Sequence, residues 1–435
     1  PNIISLDGWA GSQRFNSVWS GDQTGGNWEY IRFHIPTYIG SSLSGNPNIG
    51  SDMDGIFGGK ALIATRDYQW KSFTPQMLNM DGWGTYMKAP YTFGDPYTGI
   101  NRMYMKIKSQ LMPYIYTTAV SASNMDTGND DTGLPIVRAM FLEYPEDAYA
   151  YSRNMQYQFL LGANILVAPV YKNTAADEEG NDVRNHIYLP DPDEVWIDYL
   201  TGEKYLGGQV LNNFAAPLWK LPVFVKNGTI LPMYEANNTP DAIDRTKRMI
   251  EFWPDGDSFY TTYEDDGKYI HNQTEEDEKY GTIDHVSYGS HVSTTYTSSV
   301  KEGKAILTAE CSEGTYEGYE EKRSSTFIVH LSNHPEAVTA WNGEEKLHLT
   351  EAENLEIFEQ SEPKKGEAIF FYDEHPMIRT YASEEEKILR AMVEKVQAEP
   401  KLYVKFATVD SQKEKQTVEI LGFENTVCRM AEKEN

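Results

Sequence analysis

The stretch Gln13-Arg14-Phe15-Asn16-Ser17-Val18-Trp19-Ser20-Gly21-Asp22-Gln23 carries the reading of the first part of the chain. A short run ends on an indole, turns through Ser-Gly and delivers a carboxylate on a loop. Downstream of Gly26, Trp28, Ile31, Ile35 and Ile39 recur at helical spacing, which predicts an amphipathic helix. Ser44-Gly45-Asn46-Pro47 ends it with turn chemistry. Upstream, Pro1-Asn2-Ile3-Ile4-Ser5-Leu6 reads as a strand, and its abrupt opening without a methionine reads as a strand cut from a longer protein. A second helix is expected from Ile100 to about Ser123, with Tyr104, Ile107, Leu111 and Ile115 on one face, and a buried strand from Leu134 to Leu142. This βα alternation is the pattern of half a (β/α)₈ TIM barrel.

The character changes near residue 165. Ile165-Leu166-Val167-Ala168-Pro169-Val170, Val195-Trp196-Ile197-Asp198-Tyr199 and Leu221 to Pro232 are short β-rich pieces between Gly, Pro and Asn turns, a β-sandwich pattern. The expected fold class is therefore α/β plus all-β. The divisions are 1–165 for the C-terminal half of the barrel, 166–248 for a proximal β-sandwich and 249–381 for a distal one. Residues 382–435 read as a charged linker helix, Ser383 to Ala398, and the opening strands of a further β-module truncated by the chain end.

Composition narrows the function classes. The 435 residues carry a formal net charge of -27, with 40% hydrophobic and 24% charged residues. That suits an ordinary globular protein and exceeds one compact core. A strongly negative chain with no basic stripe repels phosphate backbones, so nucleic acid is not an expected partner. No apolar run is long enough to span a bilayer, so no membrane partner is expected, and no signal peptide precedes Pro1. Two cysteines, Cys311 and Cys428, give no disulfide framework, and scattered histidines give no metal motif, so no cofactor is expected. Trp196, Trp219, Trp253 and Trp341 read as sandwich core. Glu275-Glu276-Asp277-Glu278 and Glu384-Glu385-Glu386 read as solvated faces, and the acids from Asp255 to Asp266 lack EF-hand spacing.

Asp22 is the candidate for chemistry. Burial against an aromatic is what keeps a carboxyl protonated near neutral pH, so a general acid at this position is expected to be enclosed beside Trp19. Taken alone, a Gly-Asp in a loop reads as a turn or a helix cap rather than as a catalytic acid. The surroundings add to it. Arg14 to Gly59 resembles glycoside hydrolase family 31, whose pattern runs approximately Arg-Tyr-x-x-x-Trp-x-Gly-Asp, a helix, then Gly-x-Pro-x-x-Gly-x-Asp-Ile-x-Gly-Phe. The second half stands here as Gly45-Asn46-Pro47-Asn48-Ile49-Gly50-Ser51-Asp52-Met53-Asp54-Gly55-Ile56-Phe57-Gly58-Gly59. Phe73-Thr74-Pro75, Leu111-Met112-Pro113-Tyr114, Pro135 to Pro145, Gln158 to Val170 and Pro222 to Gly228 continue the likeness in order over residues 1–235.

The resemblance implies a retaining α-glycosidase, α-glucosidase-like, acting on α-linked oligo- or polysaccharides. Asp22 matches the family's acid/base, Trp19 a wall of the sugar pocket, and Asp52 an aspartate at that pocket; Arg14 joins them as a substrate-binding candidate. Retention needs two carboxyl groups about 5–5.5 Å apart, one protonating the leaving oxygen and one attacking the anomeric carbon. The family's nucleophile lies in a motif like Trp-x-Asp-Met-Asn-Glu, which does not occur in this sequence. The chain by itself is thus expected to be inactive and its parent to be the enzyme. Two departures mark the pocket. Leu78 and Met80 stand where the family has Arg-x-His, and Leu6-Asp7-Gly8-Trp9 stands where it has a further Arg. Asp81 and Trp83 follow at once and become substitute substrate-binding candidates, against the reading of a plain surface turn. An α-N-acetylgalactosaminidase, an α-glucan transglycosylase and a non-catalytic carbohydrate-binding β-protein remain as alternatives.

Overall fold

The computed structural model describes residues 4–6, 8, 17–81, 83, 87–172, 177–178, 180–267, 269–271 and 286–425. Arg14, Cys428 and the acidic run Glu275 to Glu278 lie outside the described residues.

The first part is a parallel βα layer. Strands β1 (Ile4–Ser5), β2 (Ser17–Trp19) and β3 (Ile49–Gly50) pair in parallel, Ile4 with Ser17 and Val18 with Ile49. A parallel bridge from Asp52 to Leu78 extends the layer by one position. Parallel neighbours require crossovers. Helix α1 (Trp28–Leu43) crosses from β2 to β3, and α2 (Ala61–Lys71) from β3 to Leu78. Asn27 caps α1, its side chain accepting from the Tyr30 N–H at 3.1 Å. Tyr30, Ile31, His34, Ile35, Tyr38 and Ile39 form its buried face. The edge of Trp70 on α2 meets Tyr38 with ring centroids 5.0 Å apart. Helices α3 (Tyr97–Gln110) and α4 (Met112–Ala122) follow as one near-continuous pair broken at Leu111.

Two strand readings change in the folded chain. Val137–Arg138 is no barrel strand; it pairs antiparallel with Phe159–Leu161 at the edge of a six-stranded antiparallel sheet. The expected boundary at 165/166 cuts that sheet between Phe159–Leu161 and Ile165–Val167, which are joined by a tight hairpin. An apolar run of this length reads alike in either sheet type, and only pairing separates them.

Likewise Lys401–Phe406 and Gln416–Leu421 do not open a further module. Lys401–Phe406 lies between Lys322–His330 and Glu367–Asp373 in one seven-stranded sheet. Gln416–Leu421 lies between Lys304–Ala309 and Ala337–Asn342 in the other. These strands complete the distal sandwich from the far end of the sequence, a long-range pairing with no local signal. The expected helix from Ser383 narrows to Lys387–Val393. In the expected solvated run only Glu384 and Glu385 are exposed; Glu386 is buried and ion-paired to Arg102 at 2.5 Å. Trp196, Trp219 and Trp253 are core, while Trp341 is half-buried with Lys346 Nζ 5.7 Å over its ring. No described helix is long and apolar enough to cross a membrane.

Candidate active site

The C-terminal ends of the parallel strands lead into four of the expected residues. In such a layer this end carries the chemistry, because the loops that leave it are free to vary while the strands hold them in place. β2 ends on Trp19 and leads through Ser20 and Gly21 to Asp22. β3 leads through Ser51 to Asp52, and the strand position at Leu78 leads through Met80 to Asp81.

Trp19 Nε1 donates to Asp52 Oδ2 at 2.9 Å, and the Met80 backbone N–H donates to Asp52 Oδ1 at 3.1 Å. Both carboxylate oxygens are committed, and Asp52 is buried. It thus fixes the indole on one side and the Leu78–Met80 strand end on the other. Gly21 takes φ +87°, where an L side chain is strained, and a Cβ there would lie 2.8 Å from Leu6 Cδ1. The chain can therefore turn sharply off β2 into Asp22.

Asp22 itself is exposed, and among the described residues no group hydrogen-bonds its carboxyl. The enclosure expected from its neighbour Trp19 is absent; the indole is turned onto Asp52 instead. Asp81 Oδ2 accepts from the backbone N–H groups of Lys88 and Ala89, each at 3.2 Å, so it braces its own loop. Trp83 is 70% exposed. Leu78 packs on Gly50, where a Cβ would approach Leu78 Cδ1 to 2.8 Å.

A buried polar scaffold beneath these residues was not read from the sequence. His34 Nδ1 faces the Tyr30 carbonyl at 2.8 Å, so that nitrogen carries the proton and Nε2 accepts from Ser20 Oγ, also at 2.8 Å. Burial, and then the Lys71 charge, push the His34 pKa down to about 3, so the ring is a neutral prop for the Asp22 turn. Lys71 Nζ donates to Asp67 Oδ2 at 2.6 Å and to the Asp52 carbonyl at 2.8 Å, where the Tyr30 hydroxyl also donates. Burial lowers the Lys71 pKa while Asp67 opposes that shift. Asp54 gathers the backbone N–H groups of Gly26, Gly59 and Lys60 at 2.5, 2.7 and 3.2 Å. Burial nevertheless raises its pKa to about 6. A Cβ on Gly25 would fall 1.4 Å from the Asp54 carbonyl oxygen, so only glycine lets the two loops meet. Lys88, also buried, donates to the Met53 carbonyl and to Asn79 Oδ1, each at 3.1 Å. The legible signal for this scaffold was the Gly- and Asp-rich run from Asp52 to Gly59. Among the described residues no group of His, Cys, Asp and Glu side chains is gathered as a metal site.

Comparison with known proteins places this arrangement. Residues 1–118 match the family model described as "Glycosyl hydrolases family 31 TIM-barrel domain", and residues 133–231 the one described as "Glycosyl hydrolase family 31 C-terminal domain". Alpha-glucosidase 2 of Bacillus thermoamyloliquefaciens is 30% identical over 270 residues, covering 62% of this chain and 32% of that protein. The alpha-xylosidase of Saccharolobus solfataricus is 31% identical over 277 residues, 61% of this chain and 34% of that protein. The chain thus spans about a third of the length of these relatives. The glucose complex of a Flavobacterium johnsoniae dextranase of the family superposes with a TM-score of 0.71 at 26% identity, over 97% of this chain and 46% of that one. With the two domain models matched in order and the fold shared along nearly its whole length, the chain belongs to glycoside hydrolase family 31.

Proposed function

We propose that the intact protein is a retaining α-glycoside hydrolase in which Asp22 is the general acid/base. The observation that carries this reading is the meeting of Trp19, Asp22 and the Asp52 anchor at the C-terminal ends of adjacent parallel strands. In the first step the Asp22 carboxylic acid gives its proton to the glycosidic oxygen while a second carboxylate bonds to the anomeric carbon. In the second step Asp22, now a carboxylate, takes a proton from the water that releases the sugar. The second carboxylate comes from outside this sequence. Trp19, held by Asp52, supplies a flat wall for the sugar, and Arg14 remains a substrate-binding candidate.

Leu78 and Met80 favour a more specific reading of the sugar. By the resemblance these two apolar residues stand where the family's Arg-x-His would donate hydrogen bonds, and their backbone is tied to Asp52. A 2-acetamido sugar places a methyl group where a hydroxyl would otherwise need a donor, and the exposed Trp83 indole could cover it. Paired assays of the intact protein on nitrophenyl α-glucoside and nitrophenyl α-N-acetylgalactosaminide test both levels. Turnover of neither removes the glycosidase reading, and preference for the glucoside removes the acetamido one. The division that goes with this reading sets the catalytic layer before Val137 and assigns the strands from Ile230 to Leu421 to one distal sandwich.

A further inference from the structure

On the outer side of α3 the structure holds a cleft of about 410 Å³, separate from the strand ends that carry Asp22. One wall is α3, and the other is the segment that leaves strand Ile230–Met233. The walls are strapped together: the Tyr234 N–H donates to the Gln110 carbonyl at 3.0 Å, the Asn237 N–H to Ser109 Oγ at 3.3 Å, and Lys106 Nζ to Asn238 Oδ1 at 2.7 Å. The cleft is therefore a fixed feature of the fold. Its volume lies within the range of about 300–1,000 Å³ usual for small-ligand sites.

Its chemistry is unusual for a chain with a net charge of -27. Arg102, Lys106 and Lys108 all line it. Arg102 pairs with Glu386, but among the described residues neither lysine has an acidic partner. Lys106 is held by an amide oxygen, and Lys108 by the carbonyls of Thr74 and Pro75. Burial, and then the nearby Arg102 charge, lower the Lys106 pKa. Beside them Tyr91, 72% exposed, and Met105, 41% exposed, offer an uncovered apolar face. The loop that carries Tyr91 is the one whose earlier turn Asp81 braces at Lys88 and Ala89.

We propose that this cleft is a second, non-catalytic saccharide site that takes a sugar unit bearing a carboxylate or sulfate. The Tyr91 ring covers the apolar face of the pyranose. Lys106, with Arg102 behind it, binds the anionic group, and Asn238 and Thr239 meet the remaining hydroxyls. A sugar is the occupant that needs both a bare aromatic face and a rim of amide and hydroxyl groups. The anionic substituent is what Lys106, without an acidic partner among the described residues, selects. The choice of a sugar rests on the glycosidase reading above, but binding here does not require turnover.

Calorimetric titration of the intact protein with methyl α-glucuronide, glucose 6-sulfate, methyl α-glucoside and inorganic sulfate tests it. At least one of the two anionic sugars should bind saturably and about ten-fold or more tighter than both the neutral sugar and inorganic sulfate. Lys106→Gln and Tyr91→Ala should each weaken that binding at least ten-fold, with thermal unfolding and turnover of small nitrophenyl glycosides unchanged. The proposal is overturned by any of three outcomes: no saturable binding of either anionic sugar, sulfate binding as tightly as the sugars, or wild-type affinity in both variants. An inactive protein that still binds anionic sugars would sink the glycosidase reading and leave the site standing.

Discussion

The indole of Trp19 is pinned to the carboxylate of Asp52, Nε1 to Oδ2 at 2.9 Å, across two neighbouring parallel strands. The orientation of the candidate sugar-pocket wall is thus set by the buried Asp52 side chain. Asp52 accepts a second N–H, from Met80, on its other oxygen. Asparagine offers one acceptor oxygen in place of two. Asp52→Asn should therefore lose one charge-assisted hydrogen bond and cost about 1.5–3 kcal/mol of stability. Urea unfolding measures the loss, and the fluorescence of Trp19 should report a less restrained indole. Unchanged stability with unchanged kcat/KM would show that the pin is idle.

Beneath it, Lys71 and Asp67 form a fully buried ion pair at 2.6 Å. Asp67 also accepts from the Asp54 N–H and the Trp70 indole, each at 2.8 Å. Lys71→Met strands that carboxylate and should cost about 3–5 kcal/mol. Lys71→Met combined with Asp67→Leu should cost less than the single change, because the unpaired charge is gone. A double-mutant cycle by denaturant unfolding decides it; additive losses would contradict a coupled pair.

The distal sandwich should lose stability in acid in two overlapping stages. His330, stacked on Trp253, is buried, and burial and then the Lys401 charge hold its pKa down to about 4. The folded protein keeps the ring neutral while the unfolded chain protonates it below its ordinary 6.5. Stability therefore falls as pH drops from about 6.5 to about 4. For Glu251, burial pushes the pKa up, but Lys401 and His330 prevail and bring it to about 2. Its contribution is present above about 4.5 and lost as pH falls toward about 2. His330→Gln should flatten the upper stage, seen as a smaller decline of Tm between pH 6.5 and pH 4, while Lys401 keeps part of the lower one.

The turn at Asp81 and Trp83 separates into two roles. Trp83 is exposed, so Trp83→Ala should leave Tm unchanged while altering the ratio of kcat/KM between N-acetylgalactosaminide and glucoside. Asp81 braces the backbone of Lys88 and Ala89, so Asp81→Ala should lower both Tm and kcat/KM, the latter by about 1.5–3 kcal/mol of transition-state free energy. Normal kinetics in both variants would make the loop only a turn.

What the sequence made legible was what is local. The helix over Trp28–Leu43 follows its apolar spacing, and the Trp-Ser-Gly-Asp and Gly-Ser-Asp-Met-Asp runs mark the two strand ends that meet. What stayed hidden depends on pairing across the chain. Val137–Arg138 is apolar enough for a barrel strand, yet it hydrogen-bonds to a hairpin neighbour. Gln416–Leu421 pairs with Ala337–Asn342, a strand far from it in the sequence. Helix α2 is the clearest case. Arg66, Asp67, Gln69 and Lys71 are polar or charged, yet all are buried, because they pair with one another and with nearby carboxylate and carbonyl oxygens.

The role of Asp22 is tested most directly by kcat/KM of Asp22→Asn, in the intact protein, across aryl glycosides of graded leaving-group acidity and a natural-type oligosaccharide. General acid catalysis contributes about 10²–10⁴-fold where the leaving group is poor and little where it is good. The variant should therefore lose activity on the oligosaccharide by that factor, keep near-normal glycosylation rates on the most acidic aryl glycosides, and regain turnover when azide, which needs no general base, is added. Cleavage of the oligosaccharide at the wild-type rate would contradict the assignment of Asp22 as the acid.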